Sequence, residues 1–344
     1  SLYLIVRFTH GYIFTIILGF IAYFAGLQFF IRSGYLIDVI FPIFTIGLVS
    51  FHGYIVKFLI ELRQKLQIKK QFGTYLSPAL VEKLQKDPSL LKLGGESREL
   101  SIMFTDVRGF TTISEHYGKD VQGLTQIMNR YMTAMTAKIL ENNGTLDKYI
   151  GDAQMAFWNA PLDDTNHAKH AVKTAIEMLD CLDAFNKEIS VEGVPPFGMG
   201  LGINTGVVVV GNMGSTQRFD YTCLGDHVNL ASRLEGQSKP YGVKIILGPL
   251  TAQQVQDEYP VVELDCIAVK GKKEGVKIYT LGQAIRQEEF LDAYYSGEWR
   301  RAIEIAEDAI KSNTPLKTYY ENMIERMKDG KPDNWNGVYH ATSK

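Results

Sequence analysis

Two long apolar runs separated by a short polar break constrain this chain before any other feature. Gly11–Ile31 carries no charged side chain, and a run of that length can cross the ~30 Å hydrocarbon core of a bilayer. Arg32-Ser33-Gly34 breaks the pattern, and a second apolar stretch runs from Tyr35 to Val56, interrupted by Asp38 near its start. It ends in Lys57, Glu61, Arg63, Lys65, Lys69 and Lys70, a cationic flank of the kind that marks the cytoplasmic side of a membrane. Arg7 and His10 precede the first run, which places both ends of the pair on one side. No small-residue cleavage pattern ends the first run, so it does not read as a secretory signal. Residues 1–57 are therefore expected to form a transmembrane helical hairpin. The protein would be multi-pass in an inner or plasma membrane, with everything after it cytoplasmic.

The remainder of the 344 residues has a soluble composition, and the whole chain has a formal net charge of −2. That balance offers no basic field for a nucleic acid, and none is expected as a partner. Cys181, Cys223 and Cys266 lie far apart, without the spacing of a zinc site or a disulfide framework. From Phe58 the apolar residues Leu59, Leu62, Leu66, Ile68 and Phe72 recur at helical spacing with charges between them. This connector, residues 58–94, could pair with its twin in a dimer or lie as a single amphipathic helix on its own domain. Asp87-Pro88 and Gly94-Gly95 then punctuate the chain.

Residues 95–283 alternate between two periods. Leu100–Asp106 is a short apolar run ending in an acid and predicts a central strand. Ser114–Asn142 and Thr165–Ile189 have helical spacing. Gly144–Ile150 and Ala153–Trp158 read as two strands, with Gly151-Asp152 between them as a two-residue hairpin turn. Phe197–Thr205 and Val207–Val210 predict strands with glycine-rich breaks. A helix follows over Asp226–Glu235, then strands near Val243–Leu247, Val261–Ile267 and Val276–Leu281. Interleaved strands and helices give an α/β or α+β class, and the hairpin requires an antiparallel component. Residues 284–344 form a helical tail. Phe290, Ala293, Tyr294, Gly297, Trp299, Ala302 and Ala306 have the spacing of one tetratricopeptide-like hairpin. A single repeat cannot build a solenoid, so a cap on the preceding domain is expected.

Two acids hold unusual positions. Asp106 ends an apolar strand inside Phe104-Thr-Asp-Val-Arg-Gly-Phe-Thr111, and Asp152 sits at a hairpin tip. Carboxylates on neighbouring strand ends suit hard divalent cations, which also take phosphate and water oxygens. Two such ions can activate an attacking hydroxyl and stabilise a leaving pyrophosphate together. Gly109-Phe110-Thr111 follows at a helix start, where amide N–H groups can face phosphate oxygens.

Four further motifs follow in order: Leu146-Asp-Lys-Tyr-Ile-Gly-Asp152, Gly202-Ile-Asn-Thr-Gly206, Gly225-Asp-His-Val-Asn-Leu-Ala-Ser-Arg233 and Val269-Lys-Gly-Lys272. With the first they closely resemble the class III adenylyl/guanylyl cyclase catalytic domain, of the bacterial membrane-anchored type. The resemblance implies a ferredoxin-like βαββαβ core with extra strands, an α+β fold, and active sites between two chains arranged head to tail. It implies that Asp106, Asp152 and the main-chain carbonyl of Val107 bind two Mg²⁺ or Mn²⁺ ions per site. Lys148 and Thr222 would read the purine edge, Asn229 would position the ribose, and Arg233 would stabilise charge on the reacting phosphate. Lys270 would bind the terminal phosphates. The metal acids and the base-reading residues would come from different chains of a homodimer.

The choice of purine can be argued from donors and acceptors. Adenine presents an acceptor at N1 and a donor at its 6-amino group. Lysine is donor-only and suits N1, and a threonine hydroxyl can accept from the amino group. ATP is the expected substrate and 3′,5′-cyclic AMP the expected product. Thr222 stands where the commonest mammalian pattern of the family has Asp, and because a hydroxyl also donates, looser discrimination against GTP is an open alternative. A one-residue slip would put Cys223 in the pocket instead. A guanylate or dual-specificity cyclase, or a silent nucleotide-binding regulator, are the competing readings.

Overall fold

The computed structural model describes residues 2–35, 38, 40–72, 94–215, 217, 219–268, 275–312 and 314–340. The chain divides into two compact units, residues 1–75 and 76–344.

The first unit holds α1 (Leu2–Ser33) and α2 (Ile40–Phe72). Asp38 explains itself here: its Oδ1 accepts the amides of Ile40 at 2.9 Å and Phe41 at 3.3 Å, so the lone acid in the apolar stretch is the N-cap of α2. Ile40–Arg63 within α2 has 24 residues, a mean hydropathy of 1.8 and an apolar window with no buried residue. Among the described residues it is the one helix long and apolar enough to cross a membrane, and Ile17–Ser33 in α1 is shorter. The expectation of two spans is met in part. In the connector, Leu59, Leu62 and Leu66 are exposed. The side chains of Ile68 and Phe72, and all of residues 73–93, lie outside the described residues.

The second unit is built on a sheet that contains nine strands among the described residues. Its elements in chain order are β1 (Gly94–Arg108), α3 (Phe110–Tyr117), α4 (Val121–Glu141), β2 (Thr145–Ile150), β3 (Ala153–Trp158), α5 (His167–Ser190) and β4 (Gly198–Gly214). Next come β5 (Phe219–Leu224), α6 (Asp226–Gln237), β6 (Ile245–Leu247), α7 (Pro249–Val255), β7 (Val261–Ala268) and β8 (Val276–Leu281). The tail adds α8 (Gln287–Ser296), α9 (Trp299–Lys311), α10 (Lys317–Met327) and β9 (Tyr339–His340). The strand order is β2-β3-β1-β4-β6-β8-β7-β9, with β5 paired to β4. The antiparallel order β2-β3-β1-β4, threaded by α4 and α5, is the expected ferredoxin-like βαββαβ core.

Several predicted boundaries move for identifiable reasons. The helix expected over Ser114–Asn142 is two helices, because the chain turns at Gly118-Lys119-Asp120 and the Asp120 carboxylate caps α4 by accepting the Gly123 amide at 2.9 Å. The two strands expected on either side of Gly206 are one strand, β4. Gly206 is no break: a Cβ there would lie 2.3 Å from the His227 ring, so glycine lets α6 approach the sheet. The hairpin turn at Gly151-Asp152 stands as read, with Gly151 at φ 66°.

Three cores hold the unit. On one face of the sheet, α4 and α5 bury Ile127, Tyr131, Val172 and Phe185, and Tyr131 stacks on Phe197 with ring centroids 5.1 Å apart. A smaller core of Leu100, Ile102, Met155, Phe157, Val208, Cys223 and Val228 lies between β1, β3, β4, β5 and α6. The third joins Ile246, Leu264 and Ile278 of the sheet to Phe290, Tyr294, Trp299 and Tyr319 of the tail, so the tail packs as the expected cap. His167 opens α5. It is buried, and its Nδ1 lies 2.9 Å from the Ser101 hydroxyl.

Candidate active site

The end of β1 and the tip of the β2–β3 hairpin converge. β1 pairs with β3 in a register that places Thr105 opposite Gln154. One residue further along each strand, Asp106 lies beside Ala153, the immediate neighbour of Asp152. Burial raises the Asp106 pKa from its ordinary value, and the charge of Asp152 raises it further. The Val107 amide donates to Asp106 Oδ1 at 3.0 Å and opposes both effects.

A third acid joins them that sequence reasoning missed. Glu235, in the last turns of α6, is pushed up to about 7, first by burial and then by Asp106, with Asp152 adding to it and Arg108 opposing. Arg108 in turn donates to the Ser238 hydroxyl at 2.6 Å and the Val243 carbonyl at 2.9 Å, which ties the end of β1 to the end of α6. Asn229 and Arg233 lie four apart and share a face of α6, but helical spacing could have flagged Glu235 only as another polar position. Its approach to Asp106 depends on glycines at 200 and 202, where a Cβ would meet the Glu235 side chain at 2.8 Å and its backbone amide at 2.2 Å respectively.

These carboxylates repel one another and lack enough cations of their own. Hard oxygen donors held close in partial burial fit a divalent cation, whose charge would offset the repulsion. Among the described residues no cluster of three or more His, Cys, Asp or Glu side chains has metal-ligand geometry. Any ion here would therefore take its other ligands from main-chain carbonyl, water or phosphate oxygens.

Gly109, at φ 84°, precedes α3, and Phe110 and Thr111 form the first turn. The Ile113 amide closes that turn on the Gly109 carbonyl at 3.1 Å, which leaves the amides ahead of it without helical acceptors.

Lys148 and Thr222 come together from strands that are distant in sequence. Lys148 Nζ donates to Thr222 Oγ1 at 3.4 Å. Between them stands Asp147, whose side chain is wholly buried. Thr222 donates to its Oδ2 at 2.5 Å, and Lys148 Nζ lies 3.3 Å from its Oδ1. Burial raises the Asp147 pKa, while the Thr222 hydrogen bond and the Lys148 charge hold it down. The neighbouring Cys223 turns the other way, into the core, and is 1% exposed. Its thiol is pushed up to about 12 by burial. Thr222, not Cys223, therefore faces Lys148.

Asn229 and Arg233 project from α6 on the side away from buried Val228, Ala231 and Leu234. Asn229 is exposed and Arg233 half-buried, and neither side chain has a hydrogen-bond or ion-pair partner among the described residues. Lys270 lies outside the described residues.

The model of the adenylate and guanylate cyclase catalytic domain matches residues 95–283. The chain belongs to that family. Among relatives of this cyclase domain, adenylate cyclase 1 of Rhizobium meliloti is 34% identical over 215 residues, covering 62% of this chain and 32% of the relative. An adenylate cyclase of Anabaena cylindrica is 33% identical over 219 residues, covering 62% of this chain and 41% of the relative. The chain thus spans well under half the length of these relatives. The crystal structure of the adenylyl cyclase CyaB from P. aeruginosa superposes with a TM-score of 0.51 at 33% identity, covering 57% of this chain and 99% of that one.

Proposed function

We propose that the chain is a membrane-anchored adenylate cyclase that converts ATP to 3′,5′-cyclic AMP and pyrophosphate in a site shared by two copies. In this reading residues 1–57 anchor the protein, 58–94 connect, 95–283 catalyse on the cytoplasmic side of an inner or plasma membrane, and 284–344 cap the catalytic domain. The observation that carries it is the incompleteness of the site within one chain. Asp106 and Asp152 repel each other with only Arg108 to offset them, while the side chains of Asn229 and Arg233 have no partner among the described residues. On the sheet, Val207, Val209 and Leu224 are 59%, 47% and 58% exposed, and Val209 and Leu224 are cross-strand neighbours. Exposed apolar residues grouped in this way suit a second copy.

Within such a dimer, Asp106 and Asp152 of one copy, with the Val107 carbonyl, hold the metal ions. Two Mg²⁺ or Mn²⁺ ions bound there would supply Lewis acidity at the ribose 3′-hydroxyl and charge neutralisation at the departing pyrophosphate. The free amides of Phe110 and Thr111 face the triphosphate. The second copy supplies Lys148 and Thr222 to the purine edge, Asn229 to the ribose, and Arg233 to charge growing on the α-phosphate. Lys270 would add a cation at the terminal phosphates. The 3′ oxygen attacks the α-phosphorus, and the bond from the α-phosphorus to the bridging oxygen breaks as pyrophosphate leaves.

The test is complementation. Full-length protein supplied with ATP and Mg²⁺ or Mn²⁺ should form cyclic AMP, and Asp106→Ala and Arg233→Ala should each be inactive alone. Mixed, they should regain activity, because one of the two sites in a mixed dimer is intact. An unrescued mixture of folded variants would refute the shared site, and wild-type protein that makes no cyclic AMP would refute the activity.

A further inference from the structure

Adjacent residues on a strand normally point to opposite faces, yet Asp147 and Lys148 both reach Thr222. The reason lies in the pairing of β2 with β3. Leu146 pairs with Ala156 and Lys148 with Met155, so the register shifts at Asp147, which has no partner of its own. Such a bulge re-aims a side chain, and here it turns a carboxylate inward beneath the lysine. A buried acid placed against a substrate-reading pair by a local irregularity has a chemical consequence for that pair.

Threonine has one hydroxyl proton and two lone pairs. A carboxylate can only accept, and Asp147 Oδ2 takes the Thr222 proton at 2.5 Å. Lys148 Nζ, itself donor-only, occupies one Thr222 lone pair at 3.4 Å. What Thr222 still offers is a second lone pair. The ambiguity of a hydroxyl has been removed, and the two side chains present a fixed donor beside a fixed acceptor.

We propose that Asp147 is a positioning residue for base selection: by holding the Thr222 proton it makes the Lys148–Thr222 pair specific for a 6-aminopurine. This rests on the reading of those two residues as purine contacts. Adenine matches the pair at both positions, since its amino group donates to Thr222 and N1 accepts from Lys148. Guanine mismatches at both, because O6 meets a lone pair and N1–H meets an ammonium. The structure thus points to stricter selection of ATP over GTP than an unconstrained threonine would give.

The experiment measures binding to the full-length protein by calorimetry with three non-cyclising ligands, the 3′-deoxy triphosphates of adenosine, guanosine and unsubstituted purine. The last lacks only the 6-amino group of adenine. Wild type should prefer the adenine ligand to the purine ligand by about tenfold, the scale of one hydrogen bond. In Asp147→Ala that preference should fall to about twofold or less, because Thr222 is free to rotate. Asp147→Asn should go further. Its single amide oxygen is claimed by Lys148, its NH₂ then donates to Thr222, and the hydroxyl proton turns outward toward O6. The adenine-to-guanine preference should therefore fall below that of Asp147→Ala. A purely structural Asp147 would weaken all three ligands alike and leave the ratios unmoved, which would overturn the proposal. If Asp147→Ala does not fold, the isosteric Asp147→Asn decides by the same ratios. Turnover is read separately: absence of cyclic AMP from wild type would sink the cyclase reading while the binding ratios still judge Asp147. Equal wild-type binding of the three ligands would sink this inference while leaving cyclic AMP formation untouched.

Discussion

Asp265 in β7 and Asp106 in β1 are both withdrawn from water on one sheet, and their neighbourhoods treat them in opposite ways. Asp265 is fully buried and fully partnered. It accepts from the Tyr241 hydroxyl at 2.5 Å, from Arg326 of the tail at 2.7 Å and from the Cys266 amide at 2.7 Å. Arg326 is itself held between rings, 4.6 Å from the Tyr241 centroid and 3.7 Å from that of Tyr339. Asp106 has one amide and the field of Arg108 on its side, against burial and Asp152. Burial pushes Asp265 up to about 6 as well, but the charge and hydrogen bonds that oppose it all come from its own chain, so it reads as architecture. Asp106 is left in deficit, and a deficit of positive charge is what a cation or a cationic partner group relieves.

That contrast can be broken by mutation. The largest expected effect is on rate. Asp106→Ala should lower cyclic AMP formation by ~10²–10³ or more, as loss of a preorganised charged group does, while thermal stability holds or rises because a repelled charge has gone. Asp265→Ala should do the reverse. Leaving Arg326 buried and unpaired should cost about 3–5 kcal/mol of stability, read by denaturant unfolding, with turnover per folded molecule little changed. A variant that lost activity and stability in parallel at both sites would erase the distinction.

A smaller effect tests the carboxylate cluster through pH. The Glu235 pKa is raised in the folded state to about 7, from 4.5. Its contribution to stability is therefore fully present below about pH 4.5 and is lost as pH rises through about 7. In metal-free protein, Glu235→Gln should remove that loss, so its melting temperature should gain on wild type between pH 5 and pH 8. Added Mg²⁺ should shrink the gain, since an ion near Asp106 and Asp152 lowers the field that Glu235 feels. An equal difference at both pH values would mean that Glu235 does not sense the cluster. The smallest effect belongs to Thr222→Ser, which keeps the hydroxyl and should leave the adenine-to-guanine binding ratio within about twofold.

Much of this was legible in the chain, and the boundary of legibility is physical. The β2–β3 hairpin could be read because its signals are local: short strand-like runs on both sides of the turn residues Gly151-Asp152. β8 could be read for the same reason. β5 was missed although Phe219–Leu224 alternates, because the run is short and its place in the sheet comes from pairing with β4. Asp147 and Glu235 were also missed. One is turned inward by a register shift that no composition announces, and the other reaches Asp106 through glycines far away in sequence. Thr222 and Cys223 could not be separated by pattern, because which of two neighbours faces a pocket depends on strand register. Local signals survive in sequence, whereas contacts made by register and close backbone approach emerge only in the assembled sheet.

The strand at 339–340 has a mechanical corollary. Tyr339 and His340 lie parallel to Ile267 and Ala268 at the end of β7, and at the facing start of β8 a Cβ on Gly275 would touch Val338 at 2.9 Å. A short stretch of tail thus grips both roots of a single loop, like a clasp across the neck of a purse. Trimming the chain ahead of Val338 would unfasten that clasp and leave the β7 margin of the sheet open to stray strands.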